Sequence, residues 1–273
     1  MFRQPGLRIL GRCSRLLVVV SALAAPTLML IPRAEASTSV ASECMVAAHR
    51  GDHTRYTENG MGAFRRAVTD GAGWLEADAR VTSDQQVVLM HDTTVDRTTN
   101  GTGAVPSMTA LEFRSLRLND GIYPPPYAFQ VLNMAENYNR KVLLELKAMG
   151  TSTSFRRLAN SIRAAGVERV TIQSFNATLL QQIKVWVPEV KTAITTVEAL
   201  PAATVRANGG IVVEQSAITD SWLATVVGLP VYAWVVDSTA EWSRLSTHVD
   251  AIITNNPAGY IAARAALCGF TSP

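Results

Sequence analysis

The chain alternates short apolar runs, rich in β-branched residues, with stretches whose apolar positions recur at helical spacing. Apolar runs of four to eight residues are typical of strands in a parallel sheet, because such a sheet is covered on both faces. Between the first two runs, Ala63, Phe64, Ala67 and Val68 share one helix face, and most later intervals carry the same pattern. The predicted strands are residues 44–49, 74–81, 141–147, 169–174, 191–196, 210–215, 230–236 and 251–254.

Eight strands that alternate with helices predict an α/β fold, a closed (β/α)8 TIM barrel. A doubly wound open sheet is the alternative, but no G-x-G-x-x-G motif follows the first strand. Residues 83–140 form a long connection that contains an extra apolar run, residues 87–90, and three consecutive prolines. They predict a small insertion after strand two, placed at the rim of the barrel.

The first 36 residues are unlike the rest of the chain. Four arginines precede an apolar run at residues 16–31, and Ala34-Glu35-Ala36 follows it. This order predicts a signal peptide over residues 1–36, cleaved near Ala36, and a single domain over residues 37–273 that is secreted or extracytoplasmic. The apolar run contains Pro26 and is shorter than the roughly 20 residues that cross a bilayer, so we expect no stable membrane span.

The net charge of the predicted mature chain differs from that of the whole chain. The whole chain has a formal net charge of +3. Residues 1–36 contain five basic residues and one acidic residue, which leaves 20 basic and 21 acidic residues in the predicted mature chain. The excess of basic over acidic residues therefore comes from the signal peptide, and we expect no nucleic-acid partner.

Carboxylates lie inside two of the predicted strands. Glu76 and Asp78 are two residues apart, so both point to the same side of strand two, and Glu145 follows in strand three. Because the neighbouring positions are apolar, these carboxylates repel each other unless a cation or a proton lies between them. Oxygen ligands without a histidine or cysteine cluster predict one hard divalent cation, Ca²⁺ or Mg²⁺. Lys147 adds a positive charge for an anion.

Two histidines follow apolar runs. His49 ends strand one, next to Arg50, and His91 ends the extra run of the insertion. Active sites of (β/α)8 barrels lie at the C-terminal ends of the strands, so His49 and Arg50 are expected at the open mouth. Two histidines together with the acidic cluster predict general acid–base catalysis beside the cation. His53 and His248 lack such neighbours and are expected on loops or the surface.

The motifs, in their order along the chain, resemble the glycerophosphodiester phosphodiesterase family. The matching segments are HRG at 49–51, EN at 58–59, AF..AV..GA.WLEADARVT.D at 63–84, VVLMHD at 87–92, DRTTNGTG at 96–103, LLELK at 143–147, IQSF at 172–175 and YAW at 232–234. They span nearly all of the predicted mature chain. The resemblance implies a (β/α)8 barrel that hydrolyses glycerophosphodiesters to glycerol 3-phosphate and an alcohol.

The resemblance also implies roles for individual residues. His49 and His91 are the implied acid–base pair, and the three carboxylates are the implied metal ligands. Arg50 and Lys147 are implied to bind the phosphate, and Trp234 to form a wall of the pocket. Glu58 and Asn59 are implied to support the site. Two residues depart from the family pattern: Gly60 follows the EN pair, and Asn255 stands where the family commonly has Asp.

Alternative functions remain at this stage. A phospholipase C-like or sphingomyelinase D-like enzyme would use a similar mouth on lipids and would need an apolar rim, which Tyr123, Tyr127 and Phe129 of the insertion are candidates to form. A catalytically inactive phosphodiester-binding protein is the alternative from another class, although retention of both histidines and all three carboxylates argues against it.

The cysteines predict one disulfide. Cys13 leaves with the signal peptide, so the mature chain keeps Cys44 and Cys268. Export to an oxidising compartment favours pairing of an even number of cysteines. The first and last units of a closed barrel are neighbours, so Cys44 and Cys268 are expected to pair. Two free thiols are the alternative.

Overall fold

The computed structural model describes residues 44–268, in which eight parallel strands close into a barrel. The strands within these residues are β1 Val46–Ala48, β2 Trp74–Val81, β3 Val87–Leu89, β4 Lys141–Leu146, β5 Val170–Ser174, β6 Lys191–Thr196, β7 Ile211–Glu214, β8 Val231–Trp234 and β9 Ala251–Thr254. The barrel order is β1, β2, β4, β5, β6, β7, β8 and β9, and β9 pairs with β1 to close it. The predicted (β/α)8 barrel is confirmed.

The helices surround the barrel. They are α1 Met61–Asp70, α2 Ala110–Ser115, α3 Ala128–Asn137, α4 Ser152–Ala165, α5 Ala177–Trp186, α6 Ala202–Ala207, α7 Asp220–Leu223, α8 Thr239–Leu245 and α9 Pro257–Cys268. In α4, Phe155, Leu158, Ala159 and Ile162 are buried and recur at helical spacing, so one face of the helix packs on the sheet. No helix within residues 44–268 has the length and apolar character needed to cross a bilayer.

Alternation along the strands separates two layers of side chains. In β2, Leu75 and Ala77 belong to the large core beneath the helices. Trp74 belongs instead to a small core inside the barrel, where its ring meets Tyr232 edge-on at 5.5 Å between centroids. Glu76 and Asp78 share the parity of Trp74, so they also point inward, above this apolar floor.

The connection from β2 to β4 contains the insertion. β3 pairs antiparallel with the end of β2, and Val88, Val105 and Phe113 form part of a separate small core there. α3 lies in the same connection but packs on the main barrel core. The predicted segment 83–140 therefore contains an extra layer and one ordinary barrel helix.

A disulfide joins the two ends of the described chain. Cys44 and Cys268 are bonded, with 6.3 Å between their Cα atoms, as the sequence predicts. Cys44 lies two residues before β1, and Cys268 ends α9, so the bond ties the first strand to the last helix. The predicted signal peptide and its cleavage site lie outside the described residues.

Candidate active site

A cavity of about 180 Å³ opens at the C-terminal ends of the barrel strands. Its walls are formed by His49, Arg50, Glu76, His91, Glu145, Lys147, Gln173, Phe175, Thr195, Val212, Trp234 and Ile253. A larger hollow, about 800 Å³, lies at the opposite end of β8 and contains none of the predicted site residues. The chemistry predicted from the sequence therefore converges on the smaller cavity.

Three buried carboxylates form the base of the site. Glu76 and Asp78 come from β2 and Glu145 from β4, where Asp78 and Glu145 are directly paired across the two strands. One oxygen from each residue lies within 4.8 Å of the others, and each residue is at most 6% exposed. Within residues 44–268 this is the only group of three acidic, histidine or cysteine residues with metal-binding spacing.

The electrostatics of the cluster suit a cation. Burial raises the pKa of Glu76 well above its ordinary value, and the charges of Asp78 and Glu145 add to the effect. Burial and the charge of Asp78 also raise the pKa of Glu145. The pKa of Asp78 is lowered, because Lys147 and Arg50 outweigh the cost of its burial. Oxygen-only donors with unfavourable mutual repulsion fit a hard divalent cation.

Two positive side chains border the carboxylates. Lys147 Nζ lies 2.8 Å from Glu145 Oε2 and 3.4 Å from Asp78 Oδ1. Arg50 Nε lies 3.3 Å from Asp78 Oδ2, and Arg50 Nη1 lies 3.0 Å from Glu58 Oε1. The side chains of Lys147 and Arg50 also border the cavity, so they are placed to contact an anion there.

A tight turn after β1 explains why Arg50 sits beside the carboxylates. Arg50 has a φ of +56°, and Gly51 follows with a φ of +81°. A side chain at Gly51 would lie 2.7 Å from the backbone carbon of Ala63, so only glycine fits. The turn directs the Arg50 backbone N–H to Glu76 Oε2, which it meets at 2.9 Å. The HRG motif thus places both ends of the arginine against the cluster.

Amide side chains fix the carboxylates. Asn59 donates from Nδ2 to Asp78 Oδ2 at 2.8 Å and accepts from the Asp78 backbone N–H at 3.0 Å. Gln173 donates from Nε2 to Glu76 Oε1 at 2.9 Å. Gln173 was not predicted as a site residue, although it is a polar residue inside the predicted strand 169–174; in the sheet it lies directly across from Glu145.

His49 is held on one nitrogen by a loop residue. Its Nδ1 lies 2.6 Å from Asn255 Oδ1, and His53 Nε2 lies 3.0 Å from the same oxygen. Burial, together with the charge of Arg50, lowers the pKa of His49 to about 4. His53 lies in a turn, as the sequence predicts, and its contact with Asn255 was not predicted.

His91 is held by a chain of charged groups from the insertion. Its Nδ1 lies 2.8 Å from Asp92 Oδ1, and Asp92 Oδ2 accepts from Arg97 Nε at 2.6 Å. Arg97 also pairs with Glu58 through two bonds of 2.9 and 2.7 Å. Glu58 therefore connects the Arg50 side of the mouth to the His91 side.

The opposite side of the cavity is largely apolar. The rings of Phe175 and Trp234 meet edge-on at 5.7 Å, and Trp234 Nε1 donates to the carbonyl of Thr196 at 3.2 Å. Two residues that line the cavity each have a buried polar atom, Thr195 Oγ1 and Gln173 Oε1, that has no hydrogen-bond partner within the part of the chain that the structure describes. A substrate hydroxyl is a suitable partner for such atoms.

The insertion aromatics do not line the cavity. Tyr127 packs against the small core of the insertion and stacks on Phe129 at 5.4 Å, and Arg114 lies 5.1 Å from the centre of the Tyr127 ring. None of Tyr123, Tyr127 and Phe129 is among the residues that form the cavity wall. The exposed apolar side chain that does reach the wall is Phe175, which is 51% exposed.

The sequence of this chain is similar to those of known proteins. The model of the glycerophosphoryl diester phosphodiesterase family matches residues 49–259. A glycerophosphodiester phosphodiesterase of Caldanaerobacter subterraneus subsp. tengcongensis is 34% identical over 161 residues, which cover 55% of this chain and 65% of that protein. YhdW of Bacillus subtilis is 27% identical over 239 residues, covering 78% of this chain and 94% of YhdW.

Solved structures share the fold. A phosphodiesterase of Oleispira antarctica, in complex with the product sn-glycerol-3-phosphate, superposes with a TM-score of 0.71 at 20% identity, covering 81% of this chain and 96% of that chain. A glycerophosphodiester phosphodiesterase of Agrobacterium tumefaciens gives a TM-score of 0.70 at 24% identity, covering 80% and 99%. The family match extends from His49, which follows β1, into α9, beyond the last barrel strand. The chain therefore belongs to the glycerophosphoryl diester phosphodiesterase family.

Proposed function

We propose that this protein hydrolyses small glycerophosphodiesters to glycerol 3-phosphate and an alcohol, with one divalent cation, Ca²⁺ or Mg²⁺, held by Glu76, Asp78 and Glu145. The observation that carries the proposal is that Glu76, Glu145, both histidines, Arg50 and Lys147 line one cavity. The third carboxylate, Asp78, has an oxygen within 4.8 Å of oxygens of the other two. The bound cation would neutralise charge that develops on the phosphate and lower the pKa of a coordinated hydroxyl.

Charge supports this assignment. The three carboxylates carry −3 and the two cationic side chains carry +2 when all are ionised, so the group has a net charge of −1. With a divalent cation bound the group carries +1, and the single negative charge of a phosphodiester balances it. Arg50 supplies directed donors to phosphate oxygens, and Lys147 supplies a point charge.

The histidines account for the proton transfers. The attacking hydroxyl loses its proton to one histidine as a new P–O bond forms. The other histidine gives a proton to the leaving alcohol as the old P–O bond breaks. In both His49 and His91 the Nδ1 atom has a neighbouring oxygen, so Nε2 is the nitrogen available for transfer.

Size and lining favour a small substrate over an intact lipid. A cavity of about 180 Å³ is small beside the roughly 300–1,000 Å³ of typical drug-sized ligand sites. The aromatic pair, Phe175 and Trp234, offers one apolar wall, which suits the carbon atoms of glycerol or of the alcohol.

Turnover with glycerophosphocholine, phosphatidylcholine and sphingomyelin separates the candidate functions. We expect release of choline and glycerol 3-phosphate from glycerophosphocholine and little reaction with the two lipids. Faster hydrolysis of either lipid would replace the proposal with a lipid phosphodiesterase. Binding of glycerophosphocholine without turnover would indicate a catalytically inactive phosphodiester-binding protein.

We also propose that the protein works outside the cytoplasm after cleavage near Ala36. The disulfide between Cys44 and Cys268 supports this, because such bonds persist mainly in oxidising compartments. N-terminal sequencing of the protein from culture medium or periplasm should begin at Ser37. Recovery of only the uncleaved chain from cytoplasm would contradict this localisation.

A further inference from the structure

Behind His49 lies a hydrogen-bonded chain of two side chains, which come from the loops that follow β8 and β9. Asn255 follows β9, and its Oδ1 lies 2.6 Å from His49 Nδ1. Its Nδ2 donates to Asp237 Oδ2 at 2.7 Å, and its backbone N–H donates to Asp237 Oδ1 at 2.8 Å. The hydroxyl of Thr254 donates to the same Oδ1 at 2.9 Å. Asp237 thus accepts three hydrogen bonds at the junction that holds residue 255.

The carboxylate of Asp237 determines which way the Asn255 amide faces. An ionised carboxylate only accepts hydrogen bonds, whereas an asparagine amide has a donating nitrogen and an accepting oxygen. If the amide were rotated by half a turn, its oxygen would face the Asp237 carboxylate, and two acceptors would meet. Asp237 therefore keeps Nδ2 on its own side and Oδ1 towards the histidines.

The orientation of the amide sets the position of the proton on His49. Because Asn255 Oδ1 can only accept, the bond of 2.6 Å requires a proton on His49 Nδ1. His53 Nε2, at 3.0 Å, occupies the second acceptor position of that oxygen. Neutral His49 then has its lone pair on Nε2, the nitrogen left for the ligand in the cavity that His49 lines.

We propose that Asp237 is a positioning residue that, through Asn255, fixes His49 as the Nδ1–H tautomer and keeps Nε2 free to take a proton. The proposal deepens the proposed function, since it rests on a proton-transfer role for His49. It also explains the departure from the family pattern at Asn255. The residue next to His49 is a neutral amide where the family commonly has Asp, and the negative charge lies on Asp237, on the far side of Asn255.

The variant Asp237→Asn tests the orientation directly. With an amide at position 237, Asn255 can rotate and donate to His49 Nδ1, which favours the Nε2–H tautomer. We expect nitrogen NMR of the protein with labelled histidine rings to show His49 moving from the Nδ1–H to the Nε2–H form. We expect kcat to fall by about 10²-fold, the lower end of what general acid–base groups contribute, with a much smaller change in KM.

An exchange variant and a charge-matched control complete the test. Asp237→Asn combined with Asn255→Asp places an acceptor-only carboxylate next to His49 again, so the Nδ1–H form and most of kcat should return. Asp250→Asn removes an equivalent charge from a carboxylate that accepts from the Val231 backbone N–H at the opposite end of β8. It should leave the tautomer and kcat unchanged.

Two outcomes overturn the proposal. In the first, Asp237→Asn leaves His49 as the Nδ1–H tautomer, whether or not activity falls, which makes Asp237 at most a structural residue. In the second, the folded exchange variant fails to restore the Nδ1–H form. The ring spectra need no substrate, so they decide the tautomer whether or not the wild-type protein is active. A wild-type protein that hydrolyses no glycerophosphodiester would reject the proposed function, not the role of Asp237.

Discussion

Breaking the disulfide between Cys44 and Cys268 should lower the free energy of unfolding by about 5 kcal/mol, according to the chain-entropy model of cross-links. The bond joins residues 224 apart, so it closes almost the whole described chain into one loop. For a loop of that length the model gives a lost entropy of about 18 cal/mol/K in the unfolded state. The predicted loss is large, because domains are typically stable by about 5–15 kcal/mol.

Urea unfolding of the oxidised and reduced protein measures this loss. Reduction leaves the sequence unchanged, and Cys268→Ala is the better single variant because Cys44 is buried and only 1% exposed. Both forms should unfold at a lower urea concentration than the oxidised wild type. Reductant should have no further effect on Cys268→Ala, which is the control for indirect effects of the reagent.

The active site should survive the loss of the bond at 25 °C. β1, which precedes His49 and Arg50, is paired with both β2 and β9, so hydrogen bonds hold it in the barrel. We therefore expect the folded, reduced protein to keep its turnover rate. An unchanged urea midpoint, with alkylation proving that both thiols are free, would refute the entropy argument.

Three further predictions concern the mouth of the barrel. Burial opposes ionisation of Glu58, but hydrogen bonds from Arg97 and the charge of Arg50 lower the pKa of Glu58 from 4.5 to about 2. The ionised carboxylate therefore stabilises the fold above pH 5, and this contribution is lost as the pH falls towards 2. Between pH 5 and pH 2 the free energy of unfolding of the wild type should fall by about 3 kcal/mol more than that of Glu58→Gln. Equal decreases, measured by urea unfolding at the two pH values, would contradict this. Replacing either His49 or His91 by Ala should lower kcat by about 10²–10⁴-fold, and the double variant should lose less than the product of the two, so a near-normal kcat for either single variant would remove that residue from the mechanism. Thr195→Val should raise KM for glycerophosphocholine about fivefold if its unpartnered hydroxyl bonds the substrate, and an unchanged KM would exclude that contact.

The barrel was predictable because its signals are local. Parallel strands covered on both faces appear as continuous apolar runs, and a charged residue inside such a run stands out. Glu76, Asp78 and Glu145 were found in this way, and strand alternation placed the first two on one side. The disulfide followed from the cysteine count together with closure of the barrel.

The supporting contacts were not predictable, because they depend on loops that meet only after the barrel closes. His49 and Asn255 are 206 residues apart, and neither periodicity nor a motif relates them. Asp237 lies in a loop after β8, where residue type alone indicates only a polar turn. The pairing of Arg97 with Glu58 similarly depends on how the insertion folds over the mouth.

Cation dependence of turnover tests the central claim most directly. The measurement is the rate at which the fully chelated protein releases glycerol 3-phosphate from glycerophosphocholine, before and after addition of Ca²⁺ or Mg²⁺. The buried carboxylates of Glu76, Asp78 and Glu145 predict almost no release by the chelated protein and recovery with one of the two cations. Glu145→Gln serves as the variant in which added cation should restore little activity. Full activity in the chelated wild-type protein would contradict the account.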